Sequence, residues 1–499
     1  MIRVRIAPSP TGNFHIGTAR TALYNYLFAR ANKGVFVVRV EDTDEMRSEE
    51  IFEKDIIDGL QWLGLSWDEG PDIGGPFGPY RQSERTDIYR KYLHALYEKG
   101  MLYRCYCTPE ELEKERQDYQ ARNEPPRYSG KCRAITDADR IRFEDEGKNS
   151  VLRFRVPVEE LVFTDLVRGD VSVNTGLIGD MVVAKDMDSP LYNFAVVVDD
   201  YTMEITHVIR GEDHISNTHK QILIQRALGF PLPQYAHIPL ILNPDRSKLS
   251  KRKNKVSLIE YRTEGFLPEA LINCMALIGW NPGGEQEIFS LDELASAFSL
   301  ERVHKAGAIF DIQKLRWINA QYIRAKDTTE LTHLCLPYFV EKGYITPVNA
   351  ELFATGPFVT KGGREVDFAY CENVVAGERE RIEILSEITD RTELFFVELP
   401  DYDPAILTWK GMSTEAVHES LLFAEHELLA IDEEMWNIAS LEERMKSAIA
   451  DKGLKNGEVL WPLRVALTGL EKSPSPFEVA AILGKAYTIS RIQHALSRV

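Results

Sequence analysis

Cysteine is scarce, with six residues in a chain of 499. That is too few for a disulfide scaffold, and a reduced compartment is the expectation. Long apolar runs are missing as well. No uncharged stretch approaches the ~18 residues a bilayer-spanning helix needs, so no membrane partner is expected. The opening Met1-Ile2-Arg3-Val4-Arg5-Ile6 shows neither an apolar leader core nor an Arg/Ser-rich amphipathic one, which points to the cytoplasm. Basic charge is in deficit, 59 Lys and Arg against 77 Asp and Glu, for a net charge of -18. Such a balance argues against a protein that coats nucleic acid indiscriminately. It leaves room for a specific nucleic-acid partner met by a local basic face, and Lys248, Lys251, Arg252, Lys253 and Lys255 form one short basic cluster. Two phosphate-binding fingerprints are also absent: no G-x-G-x-x-G follows a strand, and no G-x-x-x-x-G-K-[ST] occurs. There are no internal repeats and no low-complexity linker.

What is present reads as a large globular chain. Hydrophobic residues make up 44% and charged residues 27%, and the length suits about three domains. The first 45 or so residues (roughly one βαβ unit) carry a strand at Arg3–Ala7, a Pro/Gly-rich loop, a helical period from Gly17 to about Ala31, and a β-branched run at Val35–Val40. Gly34 sits where the helix would stop. A second such passage runs from a strand at Met203–Ile209 through Gly211-Glu212-Asp213 to a helix at Asn217–Leu228, before Gly229.

Between the two, the texture changes. A polar helical segment (Glu110–Gln120) and strand-like runs at Val151–Val156 and Asp170–Val173 suggest an inserted domain. After about Ile323 the periods become helical. Ser440-Leu441-Glu442-Glu443 and Ser475-Pro476-Phe477-Glu478 read as capping boxes, and Gly453 as a stop. The expected division is 1–102, 103–190, 191–322 and 323–499.

Two segments carry chemistry. The loop Pro8-Ser9-Pro10-Thr11-Gly12-Asn13-Phe14-His15-Ile16-Gly17-Thr18 follows a strand and opens a helix. Backbone N–H groups and the positive end of the helix dipole therefore face whatever lies there. His15 and Thr18 can donate to phosphate oxygens, and Gly17 leaves space for a nucleotide. The second segment, Ser247-Lys248-Leu249-Ser250-Lys251-Arg252, places ammonium groups where a loop could close over a polyphosphate and stabilise a leaving pyrophosphate. Each taken singly has a plain reading, a strand–helix turn and an exposed basic loop.

Together they resemble the paired signatures of the class I aminoacyl-tRNA synthetases. Arg5-Ile6-Ala7-Pro8-Ser9-Pro10-Thr11-Gly12, Arg39-Val40-Glu41-Asp42-Thr43-Asp44 and Val208-Ile209-Arg210-Gly211-Glu212-Asp213 narrow the likeness to the bacterial-type glutamyl-tRNA synthetases. It continues through Trp461-Pro462-Leu463-Arg464-Val465-Ala466-Leu467-Thr468-Gly469 and so covers essentially the whole chain.

The resemblance implies a Rossmann-like α/β catalytic domain with an inserted acceptor-binding domain, followed by an all-α anticodon-binding region. It implies that Pro8, Ser9, His15, Gly17, Thr18 and Lys251 bind ATP, with His15, Thr18, Lys248 and Lys251 catalytic. Arg5, Ser9, Glu41, Tyr192 and Arg210 would bind glutamate. An Arg can take a carboxylate in bidentate fashion and Glu41 can take the α-ammonium. The plainer readings are a surface ion pair of Arg5 with Glu41, and a core position for Tyr192. The implied partners are L-glutamate, ATP with Mg²⁺, and tRNA(Glu), with tRNA(Gln) as a second acceptor in some members. A monomer is expected.

Three other readings compete less well. A truncated relative that modifies a tRNA base would lack the helical tail, and a simple nucleotidyltransferase would not need it. A catalytically dead tRNA binder would not keep His15, Glu41, Lys248, Lys251 and both Arg. Cys105-Tyr106-Cys107 and Cys132 match the start of a C-x-C-x₂₄-C-x-H zinc pattern of some members, but Ala134 stands at the fourth place. Tyr128 and Asp137 are nearby oxygen donors, harder than such a site normally uses. Ordinary buried thiols are the expectation there.

Overall fold

The structure, a computed structural model, describes residues 1–43, 48–247, 249, 256–399 and 401–499. It divides into two compact units, Met1–Ile318 and Asn319–Val499.

The first unit is built on parallel strands. Strand β1 (Arg3–Ile6) leads through the loop to helix α1 (Ile16–Ala31) and then to β2 (Val35–Val38), which pairs in parallel with β1. Every residue of β1 is buried, so the strand is covered on both faces rather than alternating. The chain turns at Asn32 and Lys33, not at Gly34. Gly34 serves a different end: a Cβ there would lie 2.6 Å from the Ile2 carbonyl oxygen, which accepts the Val35 N–H. Two backbones pass at a separation only glycine permits.

Strands β3 (Leu102–Cys105), β4 (Val151–Phe154) and β7 (Met181–Ala184) form a small antiparallel sheet in the order β3-β4-β7. Between them in sequence, β5 (Glu160–Asp165) and β6 (Gly169–Asn174) form a hairpin. Helix α2 (Tyr192–Thr202) then leads to β8 (His207–Gly211), helix α3 (Ile215–Leu228) and β9 (Gln234–Ile238). Strand β8 therefore starts later than its sequence pattern suggests, because α2 runs to Thr202 and Met203 caps it. Strands β8 and β9 pair in parallel, and Asp165 at the end of β5 pairs with Tyr235 of β9. The hairpin expected to belong to an insertion is thus hydrogen-bonded into the sheet of the second passage.

Strand β1 lies beside the start of β8, where the Thr206 N–H donates to the Arg3 carbonyl at 3.0 Å. One neighbour of β1, β2, is reached through α1, and the other, β8, follows α2, so the strand order reverses there. Ligands of open α/β sheets bind at the carboxyl ends of strands at such a point.

The second unit is mostly helical. Helices Thr414–Leu429, Asn456–Thr468 and Lys485–Leu496 pack around Leu421, Leu463 and Ile492. It also holds three short antiparallel strands, Ile345–Pro347, Phe358–Thr360 and Glu365–Val366, so it is not all-α. Ser475 caps Pro476–Leu483 with Pro476 in the first turn. Ser440 does not cap its helix. The helix begins at Ile438 and the Asn437 side chain accepts the Ser440 N–H at 3.0 Å. Among the described residues no helix is long and apolar enough to cross a membrane.

Candidate active site

A cleft of about 540 Å³ opens where β1 and β8 end. Arg5, Pro8, Ser9, His15, Gly17, Thr18, Glu41, Tyr192 and Arg210 all line it. Lys248 and Lys251 lie outside the described residues, but Leu249 and Val256, on either side of Lys251 in the chain, also line the cleft.

The loop after β1 is pinned at several points. The Glu41 N–H donates to Pro8 O, the Glu49 N–H to Pro10 O, and the Phe14 N–H to Asp55 Oδ2 at 2.6 Å. Ile16 N–H donates to Val256 O and Leu258 N–H to Phe14 O, which ties the return of the second motif to the start of α1. His15 is the N-cap of that helix. Its Nδ1 accepts the Thr18 N–H at 3.3 Å and its Nε2 lies 3.1 Å from Thr18 Oγ1. A Cβ on Gly17 would lie 3.1 Å from the His15 ring, so the glycine gives room to the imidazole as well as to a ligand.

Arg5 and Glu41 are both buried and do not form the surface pair considered above. Arg5 donates to both carboxylate oxygens of Asp200, at 3.1 and 3.3 Å. Arg39, fully buried, donates to Asp200 at 2.8 Å and to Glu41 at 3.1 Å. Burial opposes the Arg39 charge, but Asp200, Asp199 and Glu41 more than restore it and hold it firmly protonated. Burial raises the Glu41 carboxyl against the pull of Arg39 and Arg5. Beneath this layer, Asp199 accepts from Arg85 at 2.7 Å, Tyr89 at 2.9 Å and Gln82 at 2.8 Å. Tyr192 opens α2, half-buried, with its hydroxyl 3.0 Å from His214 Nδ1. It packs on the core and borders the cleft at once. Burial and the Arg210 charge depress His214 to about 4, which keeps it neutral at pH 7.

Arg210 differs from its neighbours. Its Nη2 donates to Thr218 Oγ1 and Gln221 Oε1, both at 2.7 Å, and its Nε to His237 Nε2 at 3.2 Å. All are neutral acceptors, and Nη1 is buried without a hydrogen-bond partner. Arg5 and Arg39 are already matched by carboxylates; Arg210 keeps an uncompensated charge beside the cleft.

This arrangement can hold an acidic amino acid next to a nucleotide site at a helix N-terminus. Residues 1–317 match the family model for tRNA synthetases class I (E and Q), catalytic domain, and residues 330–496 match an anticodon binding domain. The chain belongs to the class I glutamate–tRNA ligases. A glutamate–tRNA ligase of Caldicellulosiruptor saccharolyticus is 46% identical over 99% of this chain and 98% of its own length. One of Moorella thermoacetica is 44% identical, with 99% and 98% covered. A crystal structure of a glutamate tRNA ligase from Elizabethkingia meningosepticum in complex with its amino acid superposes with a TM-score of 0.86. It is 34% identical and covers 99% of both chains.

Sequence reasoning missed several groups that shape this ligase's cleft: Asp199, Asp200, His214 and the pair Asp165–His237. A signal existed for Asp199-Asp200, which interrupt the apolar run Phe194–Val198. None existed for Asp165, which is 72 residues from its partner.

A second cluster lies in the small sheet. Among the described residues, Cys105, Cys107 and Cys132 are the group whose side chains could hold a metal ion, with ligand atoms all within 4.8 Å. Cys107 and Cys132 sulfurs are 3.6 Å apart. The Tyr128 hydroxyl lies 3.4 Å from Cys105 Sγ and 3.6 Å from Cys107 Sγ. A tetrahedron with Zn–S bonds of ~2.3 Å has edges of about 3.7 Å, so the donor set fits such an ion. Asp137 stays 92% exposed and ion-paired with Arg140.

Proposed function

We infer that the cleft activates L-glutamate with ATP and that the acyl group then passes to the 3′-terminal adenosine of tRNA(Glu). The glutamate α-carboxylate oxygen attacks the α-phosphorus and pyrophosphate leaves. In the second step the ribose hydroxyl, the 2′ one in this class, attacks the acyl carbon and AMP leaves. The observation that carries the reading is Arg210: a buried cation with neutral partners and one unsatisfied N–H beside the cleft. A side-chain carboxylate satisfies it, whereas a neutral amide leaves the charge poorly compensated.

The remaining roles rest on the family resemblance, supported for the described residues by their place in the cleft lining. Arg5, Ser9, Glu41 and Tyr192 hold the amino acid, with Glu41 for its ammonium. Pro8, Ser9, His15, Gly17 and Thr18 hold ATP at the start of α1, and Mg²⁺ arrives with the nucleotide. Lys248 and Lys251 act from the segment between Leu249's neighbours and Val256, stabilising charge on pyrophosphate as it leaves. Residues 103–190 grip the acceptor end and 323–499 read the anticodon. The protein works as a cytoplasmic monomer, and its six free thiols suit that compartment. Pyrophosphate exchange with glutamate, ATP and tRNA present tests the reading. Exchange that requires glutamate supports it, and none in folded protein overturns it.

The thiol cluster supports a separate reading. Zinc would be held by Cys105, Cys107, Cys132 and Tyr128, and would tie the end of β3 to the 128–132 segment. The placement of Tyr128 at the fourth corner carries this, because Ala134 cannot ligate. Elemental analysis of protein purified without chelator should find near-stoichiometric zinc, lost in Cys107→Ser. Zinc-free protein of unchanged fold would contradict it.

A further inference from the structure

Arg210 is held by a chain of groups that begins in the β5–β6 hairpin. His237 is its cross-strand partner on β9 and is fully buried. His237 Nδ1 lies 2.6 Å from Asp165 Oδ2. Asp165 also accepts backbone N–H groups of Val167 at 2.9 Å, Arg168 at 2.8 Å and His237 at 3.0 Å. So many donors hold a buried carboxylate ionised, and an ionised carboxylate only accepts. The ring proton must therefore sit on Nδ1, which leaves Nε2 bare. A bare Nε2 is what the Arg210 Nε–H requires, and Thr218 Oγ1 lies 2.9 Å from the same nitrogen.

On the other side, Gln221 donates through Nε2 to Asn193 Oδ1 at 3.1 Å, which turns its carbonyl oxygen toward Arg210. Two of the three guanidinium nitrogens are thus fixed, and Nη1 is the one left for a ligand.

We propose that Asp165 and His237 are positioning residues for glutamate: by fixing the imidazole tautomer they aim Arg210 at the substrate carboxylate. This rests on the reading of Arg210 given above. If the ring carried its proton on Nε2, two N–H groups would face each other and the guanidinium would have to turn away. Burial and the Arg210 charge also lower His237, so the neutral ring is the resting form. The same logic governs a histidine held by a buried aspartate in hydrolytic triads, where losing the carboxylate yields the wrong tautomer.

The test uses full-length protein labelled with ¹⁵N-histidine. The unmodified protein should show His237 as the neutral Nδ1–H tautomer at pH 7. Asp165→Asn should move it toward Nε2–H and raise the glutamate KM roughly 10–100-fold, the cost of one misaligned charge-assisted bond, with the ATP KM within about twofold. An Nε2–H or doubly protonated ring in the unmodified protein would overturn the proposal even if the variant failed to fold. So would equal rises in both KM values. Arg210→Ala separates the two readings. If it leaves the glutamate KM unchanged, the role of Arg210 itself is wrong. If it raises that KM while Asp165→Asn does not, only the relay is wrong.

Discussion

Asp200 serves two guanidinium groups at once, and this decides what its loss would do. Replacing it with Asn leaves Arg5 and Arg39 facing a neutral amide, and breaking a buried pair of this kind costs about 3–5 kcal/mol. Denaturant unfolding of Asp200→Asn should show a loss of that order at pH 7. Burial alone would raise the Asp200 carboxyl, but Arg5 and Arg39 together hold it below its ordinary range. A depressed folded value gives stability that is present above the unfolded value of ~3.9 and lost as pH falls through the folded one. The difference between the two proteins should therefore close below about pH 4; a gap that stayed constant into acid would contradict the pairing. Arg210→Ala should raise the glutamate KM more than the ATP KM, and equal effects would mark Arg210 as structural. The predicted side chains that line the cleft were legible in sequence because each sits in a short motif. Those that hold them were not. Asp200 and Asp165 find their side-chain partners 72 to 195 residues away, and pairing at that distance leaves no local pattern.

At the scale of elements, the βαβ passage at the start of the chain depends on how closely β1 and β2 approach. Gly34→Ala would push a methyl group against the Ile2 carbonyl and should cost roughly 1–3 kcal/mol, read as a lower Tm with the cleft residues unchanged in sequence. An unaltered Tm would mean the two backbones can separate freely. The segment between Leu249 and Val256 borders the cleft at both ends, and Lys251→Ala should cut adenylate formation ~10²–10³-fold with little change in glutamate affinity. Activity within a few-fold of normal would reduce Lys251 to a surface residue. Element types were readable from periodicity, but their ends were not. Ser440 carries a capping-box pattern, yet the helix starts one turn earlier at Ile438, and the Asn437 side chain takes the Ser440 N–H as its cap. The second passage looked strand-like from Met203, yet Met203 caps α2 and the strand waits until His207. The β5–β6 hairpin lies in a stretch whose composition suggests a separate domain, and only pairing with β9 shows that it extends the main sheet.

The whole molecule joins an α/β unit that carries the cleft to a mostly helical unit of 319–499, and the family models cover the two in turn. The sequence showed both halves because their motifs run from Arg5 to Gly469. It did not show the three short strands between Ile345 and Val366, which are two or three residues each and too brief for an alternating pattern. A ligase of this kind joins its amino acid to tRNA. The most direct measurement is the charged fraction of purified tRNA(Glu) after incubation with ATP and either glutamate or glutamine. Glutamate should charge the tRNA to near completion and glutamine should leave it uncharged, because only a carboxylate compensates Arg210. Equal charging by the two amino acids, or none by glutamate, would contradict the account.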